Sequence, residues 1–238
     1  MFSLNVIDKT NVQQGNFFRN MKKYTFFLTK IGLIFLILTL LSGSFVAAQP
    51  SYQRKKTNLL DDYLRKHSHE VPPNSTQLRL RNFEEYIRYF SSLSFSRAGY
   101  KVNANFLRAL ISAESAADPK AISNRNAIGL SQITIETGRT AARELLKMGF
   151  DFKHVDESRL KNLKESDLMD PAINILICTY LIDKYNSNYN GNLALIISAW
   201  NAGPGSIIQH RGYPPYEETL TLIARVNSYL TYYMKYYA

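Results

Sequence analysis

Between Asp170 and Cys178 the chain reads Asp-Pro-Ala-Ile-Asn-Ile-Leu-Ile-Cys, and this run constrains the fold more than any other. Asp170 and Pro171 open a helix as cap and first-turn proline. The stretch Ile173–Cys178 is apolar almost all round, so no face of that helix suits water and other elements must wrap it. A second stretch, Leu193–Asn201, is apolar on most faces, is capped by Asn192 and stops at Gly203-Pro204-Gly205. Amphipathic helices supply the wrapping. Phe83, Tyr86, Tyr89 and Phe90 recur at helical spacing from about Asn82. A helix from about Asn103 to Ala116 is capped by Asn103 or Asn105, another runs through Thr134–Met148, and a last one from about Glu217 ends in a row of tyrosines. Strand-like alternation is scarce. The expected fold is mostly α, a compact helical domain over residues 82–238 with a buried central helix pair. Residues 49–81 are polar and mixed, broken at Val71-Pro72-Pro73-Asn74, and read as an arm or linker around one short helix, Leu59–Lys66.

The first 48 residues follow a different logic. Lys22, Lys23 and Lys30 precede an apolar run, Ile31–Leu41, and small residues follow as far as Val46-Ala47-Ala48. A basic stretch, a short apolar stretch and a small-x-small site are the three parts of a secretory signal peptide, with cleavage expected after Ala48. Met21-Lys22-Lys23 is the natural start of such a peptide, and Met1–Asn20 precedes it as an extension. The competing reading is an uncleaved anchor, because Ile31–Ala48 is an uncharged run. On either reading the rest of the chain is exported, to the bacterial periplasm or cell envelope, and touches a membrane only through this segment if it stays uncleaved.

Charge and cysteine count narrow the function classes. The 238 residues carry a net charge of +10. Residues 1–48 hold five basic and one acidic residue, and the remainder keeps 24 basic against 18 acidic, a net +6. A basic surface suits a polyanionic partner, and export makes a wall bearing carboxylates a better candidate than nucleic acid. Cys178 is the only cysteine, which excludes a disulfide scaffold and a Cys-built zinc site. His67, His69, His154 and His210 are too scattered for a metal cluster, and no pattern calls for a cofactor.

One residue interrupts a helical stripe. Leu107, Leu110, Ile111 and Glu114 stand at i, i+3, i+4 and i+7, so Glu114 occupies a position where the stripe calls for an apolar side chain. A carboxylate there either pairs with a base, frays to solvent, or is buried and held protonated near neutral pH. The last state is what protonation of a glycosidic oxygen requires. Around it the chain reads Glu114-Ser115, then Asn126-Ala127-Ile128-Gly129-Leu130-Ser131-Gln132, then Ala199-Trp200-Asn201-Ala202-Gly203-Pro204-Gly205, and later Glu218-Thr219.

In this order and spacing the blocks resemble the soluble lytic transglycosylase (SLT) domain, on the goose-type-lysozyme-like branch of the lysozyme superfamily, over about Asn82–Tyr233. The resemblance implies a lysozyme-like fold and peptidoglycan glycan strands as substrate. It implies cleavage of the β-1,4 bond between N-acetylmuramic acid and N-acetylglucosamine with formation of a 1,6-anhydro end, with Glu114 as the single catalytic acid and base. Ser115 supports it from the adjacent turn on the substrate side. Ser123 matches a hydroxyl placed over the sugar's N-acetyl group, and Gln132 matches a cleft-floor amide that bonds saccharide. Trp200 and Asn201 match the aromatic–Asn pair beside the acid, and Glu218 the late glutamate on the sugar-binding side. Ser131 replaces a usual Met, which should remove an apolar wall from the cleft. Leu222 stands where a Tyr is usual, with Tyr213, Tyr216 and Tyr229 as nearby substitutes. Asp118, four residues past Glu114, reads as a loop turn. Two alternatives remain: a hydrolytic lysozyme using the same cleft, and a weakly active or non-catalytic wall-binding module. By analogy, a compact domain of this kind suits local wall opening for a secretion, conjugation or pilus apparatus.

Overall fold

The computed structural model describes residues 58–96 and 101–237, and the signal-peptide expectation falls outside them. Ten helices appear among the described residues, labelled in chain order. Helix α1 covers residues 58–67 and α2 Asn74–Leu80; a 3-10 turn, Arg81–Phe83, leads into α3, Glu84–Ser92, and α4 spans Ala104–Ser115. A two-residue antiparallel hairpin follows, β1 (Ala127–Ile128) with β2 (Ile133–Thr134), in the register Ala127 opposite Thr134 and Ile128 opposite Ile133. Then come α5 (Ile135–Leu146), α6 (Glu157–Lys161), a 3-10 turn at Glu165–Met169, α7 (Pro171–Asn188), α8 (Leu193–Ala202), α9 (Pro204–His210) and α10 (Glu217–Tyr236).

Helix α7 is the axis that its composition requires. Asp170 caps it by accepting from the Ala172 N–H, and Pro171 occupies the first turn. Its residues from Ala172 to Asp183 are all buried, with α3, α5, α8 and the Glu165–Met169 turn packed around it. Polar side chains there find partners: Thr179 donates to Ile175 O, Tyr180 donates to Glu144, Asp183 accepts from the Phe95 N–H through one oxygen, and Asn174 makes the network described below. The second apolar helix, α8, lies against α7, α9 and α10, while α4 packs on α10 and α3.

Several local expectations are refined by the chain's own hydrogen bonding. Asn103, not Asn105, caps α4, because its side chain accepts from the Asn105 N–H. Gly203 ends α8 at φ +81, yet Pro204 immediately opens α9 rather than a loop, a first-turn proline where an N–H would be unpaired anyway. The segment read as an arm is, from residue 58 onward, part of the same compact unit as the rest of the described chain. Leu80 lies in the core, Arg225 of α10 pairs with Glu70, and Ser228 donates to Glu70 O at 2.7 Å. Pro72-Pro73 does not end structure; Pro73 stands at the N-cap of α2. Buried Arg108 on α4 is satisfied by a two-pronged bond to Glu84 of α3 and lies 5.4 Å over the Tyr237 ring. No helix among the described residues is long and apolar enough to cross a membrane.

Candidate active site

The last turn of α4 carries Glu114 and Ser115, and the chain then turns through Ala116 and Ala117, both left-handed, at φ +53 and +60. Two consecutive non-glycine residues in that region cost energy, so other bonds must hold them. Arg79 donates from Nε and Nη2 to Ala116 O at 2.9 and 2.7 Å. Ser115 Oγ donates to Leu130 O at 2.7 Å and accepts from the Asp118 N–H at 3.2 Å. Ser115 thereby fastens the helix end to the hairpin loop and does not line the cleft. Asp118 caps its own turn by accepting from the Lys120 N–H.

The hairpin loop forms the cleft floor, and α7 anchors it from below. Asn174, fully buried, donates to Ile128 O at 3.0 Å and to Leu168 O at 2.8 Å, and accepts from both the N–H and the hydroxyl of Ser131. Gly129 has φ +79, and a Cβ there would stand 2.2 Å from Leu168 O, so glycine is required on both counts. Ser131 is fully buried and points its hydroxyl at Asn174, away from the cleft lining. The expected loss of an apolar cleft wall is therefore not what the substitution does; it adds a core hydrogen bond instead.

Above this floor lies a cavity of about 310 Å³. Of the residues expected at the site, Glu114, Ser123, Gln132, Trp200, Asn201 and Glu218 all line it. They come from α4, the loop before β1, the hairpin, the end of α8 and the start of α10. Trp200 Nε1 donates to Glu114 Oε1 at 2.7 Å across 86 residues of sequence. Asn201 accepts from Thr219 Oγ1 at 2.6 Å and donates loosely to Glu218 Oε1 at 3.4 Å, while Glu218 pairs with Arg125 at 2.9 Å. Ser123 Oγ accepts from the N–H groups of Ala127 and Arg125, which leaves its own proton available to a ligand. Gln132, itself left-handed at φ +54, donates its amide to Gly129 O and Ala121 O.

Glu114 is the electrostatic centre. Burial pushes its carboxyl up to about 7; the Trp200 N–H pulls it down and the Glu218 charge pushes it up again. It is therefore about half protonated at pH 7 and largely a neutral acid below that. The Cys178 thiol beneath is raised to about 12 by burial and stays uncharged. Among the described residues no three His, Cys, Asp or Glu side chains converge as a metal site.

Leu222 is buried in the core and is not part of the cleft lining. Of the tyrosines considered in its place, Tyr229 is core, and Tyr216 edges a neighbouring depression shared with Arg125, Asn201 and Glu218. The tyrosine on the main cleft is Tyr185, with Leu181 one turn before it on α7. Thr134, Thr137 and Arg125 complete a wall that no motif announces. Leu181 continues the apolar run of the core and Tyr185 follows it one turn on, past Asp183-Lys184, so neither stands out from the core pattern in sequence.

Comparison with known proteins bears on the family and the fold. Residues 93–223 match the family model described as the Transglycosylase SLT domain. The chain is 30% identical over 130 residues to a Haemophilus influenzae protein named "Putative soluble lytic murein transglycosylase", covering 55% of this chain and 19% of that one. The 70 kDa soluble lytic transglycosylase of Escherichia coli matches with a TM-score of 0.51 at 18% identity, over 79% of this chain and 34% of that one. A complex of the 70 kDa soluble lytic transglycosylase with bulgecin A gives a TM-score of 0.51 at 19% identity, over 78% and 35%. The chain thus spans about a fifth to a third of the length of these relatives, and the structural likeness speaks for the fold. With the family model matched over more than half of its length, the chain belongs to the transglycosylase SLT domain family.

Proposed function

We propose that this chain is an exported lytic transglycosylase that cuts peptidoglycan glycan strands between N-acetylmuramic acid and N-acetylglucosamine. The observation that carries the reading is Glu114: a carboxyl lining an open cleft, held neutral to about pH 7 by burial. A neutral acid at that position can protonate the bridging oxygen as the bond to muramoyl C1 breaks. The resulting Glu114 carboxylate then takes the proton of the muramoyl C6 hydroxyl as that oxygen closes on C1. The products are a 1,6-anhydro end and a free N-acetylglucosamine hydroxyl; the Glu114 proton is restored and no water is consumed. Ser123 and Gln132 on the floor and Asn201 at the end of α8 are the groups proposed to hold the sugars.

Two-carboxylate glycosidases need a second acid free to act on water or on C1. Here the second cleft carboxylate, Glu218, is engaged by Arg125 and Asn201, which favours the one-carboxylate route. Its presence in the same cleft also defines the competing reading, hydrolysis with Glu218 activating water. The soluble lytic relatives and the basic-then-apolar stretch Lys22–Ala48 support a site of action on envelope peptidoglycan.

The test is mass analysis of purified peptidoglycan after digestion. Anhydromuropeptides from the native protein, with a loss of at least about 10⁴-fold in Glu114→Gln, are expected. Reducing muramic acid ends would assign hydrolysis. No cleavage on any wall preparation would leave a binding module. More than about a tenth of native activity in Glu114→Gln would remove that residue from the reaction.

A further inference from the structure

Trp200 presents an indole N–H to one oxygen of Glu114, Oε1, at 2.7 Å. An indole nitrogen donates and never accepts. The oxygen it holds must therefore be an acceptor whether Glu114 is neutral or ionised. When Glu114 is neutral its single acidic proton cannot also point along the Oε1–indole line without two hydrogens meeting. We propose that Trp200 is the positioning residue of Glu114, committing Oε1 to the indole and leaving Oε2 as the oxygen that carries and delivers the proton. The proposal rests on the reading of Glu114 as the acid and base.

The surroundings give the indole this role. Glu218 from α10 is a like charge whose countercharge, Arg125, bonds Glu218. From α7, Cys178 lies beneath as a neutral thiol and Tyr185 lines the same cleft, its phenol pushed up by burial. Burial and Glu218 both favour the neutral acid, and the indole N–H is the group that favours the carboxylate. Both forms are needed in turn, first to give a proton and then to take one. A fixed donor on Oε1 keeps the carboxyl from rotating between the two steps while stabilising its ionised form.

The experiment exploits the fact that Trp200 is the chain's only tryptophan. Growth of a tryptophan-requiring host on β-(3-benzothienyl)alanine replaces that side chain alone, keeping the ring shape and exchanging N–H for sulfur. The full chain, labelled with ¹³C at glutamate side-chain carboxyls, is titrated by NMR, and the Glu114 resonance is identified by its loss in Glu114→Gln. The expected result is a midpoint raised by roughly one pH unit, the size of a lost bond to a charged group. The high-pH limb of the activity profile should move with it. Trp200→Phe should repeat the effect if the analogue protein folds poorly. An unchanged or lowered midpoint overturns the proposal, as does a neutron structure at pH 5 with the deuteron on Oε1. A raised midpoint in a protein that cuts no wall supports the role of Trp200 and instead removes the transglycosylase reading, so the two failures are distinguishable.

Discussion

Burial keeps the Glu114 proton bound up to about pH 7, against an ordinary value of 4.5, and this difference acts on folding as well as on chemistry. The folded chain holds the proton more tightly than the unfolded chain. Below pH 4.5 both states are protonated and nothing is lost; between 4.5 and about 7 stability falls as pH rises; above 7 the full cost applies. Because part of the side chain opens on the cleft, a cost of about 1–3 kcal/mol is expected. Glu114→Gln should therefore be more stable than the native chain by that amount in urea denaturation at pH 8 and equal to it at pH 4. An equal gain at both values would show that burial of the charge is not its source. On the proposed reaction the same ionisation sets the rate: kcat/KM on peptidoglycan should fall as pH rises through about 7, because the free enzyme must hold the proton before it binds.

Element ends, more than element middles, build the cleft. The hairpin is held by buried Ile128, Leu130 and Ile133 and by Asn174 of α7 reaching up to its loop. Asn174→Ala should strand Ile128 O, Leu168 O and the Ser131 N–H at once, since each loses its partner in a buried setting. A loss of about 3 kcal/mol in urea denaturation is expected, with a raised KM because Gln132 rides on that loop and Ser123 accepts from the Ala127 N–H at its base. A loss under about 0.5 kcal/mol would mean that water replaces the amide and the anchor is dispensable. At the end of α4 the opposite holds. Ala116 is strained at φ +53, and Ala116→Gly should relieve it, raising stability by about 0.5–1 kcal/mol in thermal denaturation.

At the scale of the whole molecule, the proposed site of action makes net charge bear on the encounter with a polyanionic wall. With residues 1–48 removed the chain keeps a net +6, and interactions between exposed charges fade beyond about 10 Å at 0.1 M salt. Binding to isolated wall sacculi should weaken severalfold between about 0.05 and 0.3 M NaCl, read by co-sedimentation. Binding insensitive to salt would locate recognition in the cleft alone. Export predicts that N-terminal sequencing of the protein from the cell envelope starts at Gln49. An intact Met21 terminus in the membrane fraction would show an anchor.

Local rules carried far in this chain because most of its signals are one-dimensional. Asp170-Pro171, Asn103, Thr134 and Asn192 mark helix starts through bonds to neighbours two or three residues away, and all four cap helices in the structure. The all-round apolar character of α7 declared its burial without naming its neighbours. Glu114 stood out for the same reason, an acid in an apolar stripe. What the sequence could not state were contacts across long loops. The indole of Trp200 meets Glu114 only because α4 and α8 both pack on α10, with α7 against α8. Ser131 turns inward rather than into the cleft because Asn174, 43 residues away, offers it an acceptor. Leu181 and Tyr185 become cleft lining because one edge of α7 is left uncovered there, which no period in the sequence distinguishes from core. Burial, pKa and hydrogen-bond partner are properties of the assembled neighbourhood, so Glu114 could be singled out along the chain as a candidate acid while its proton affinity was decided only by packing.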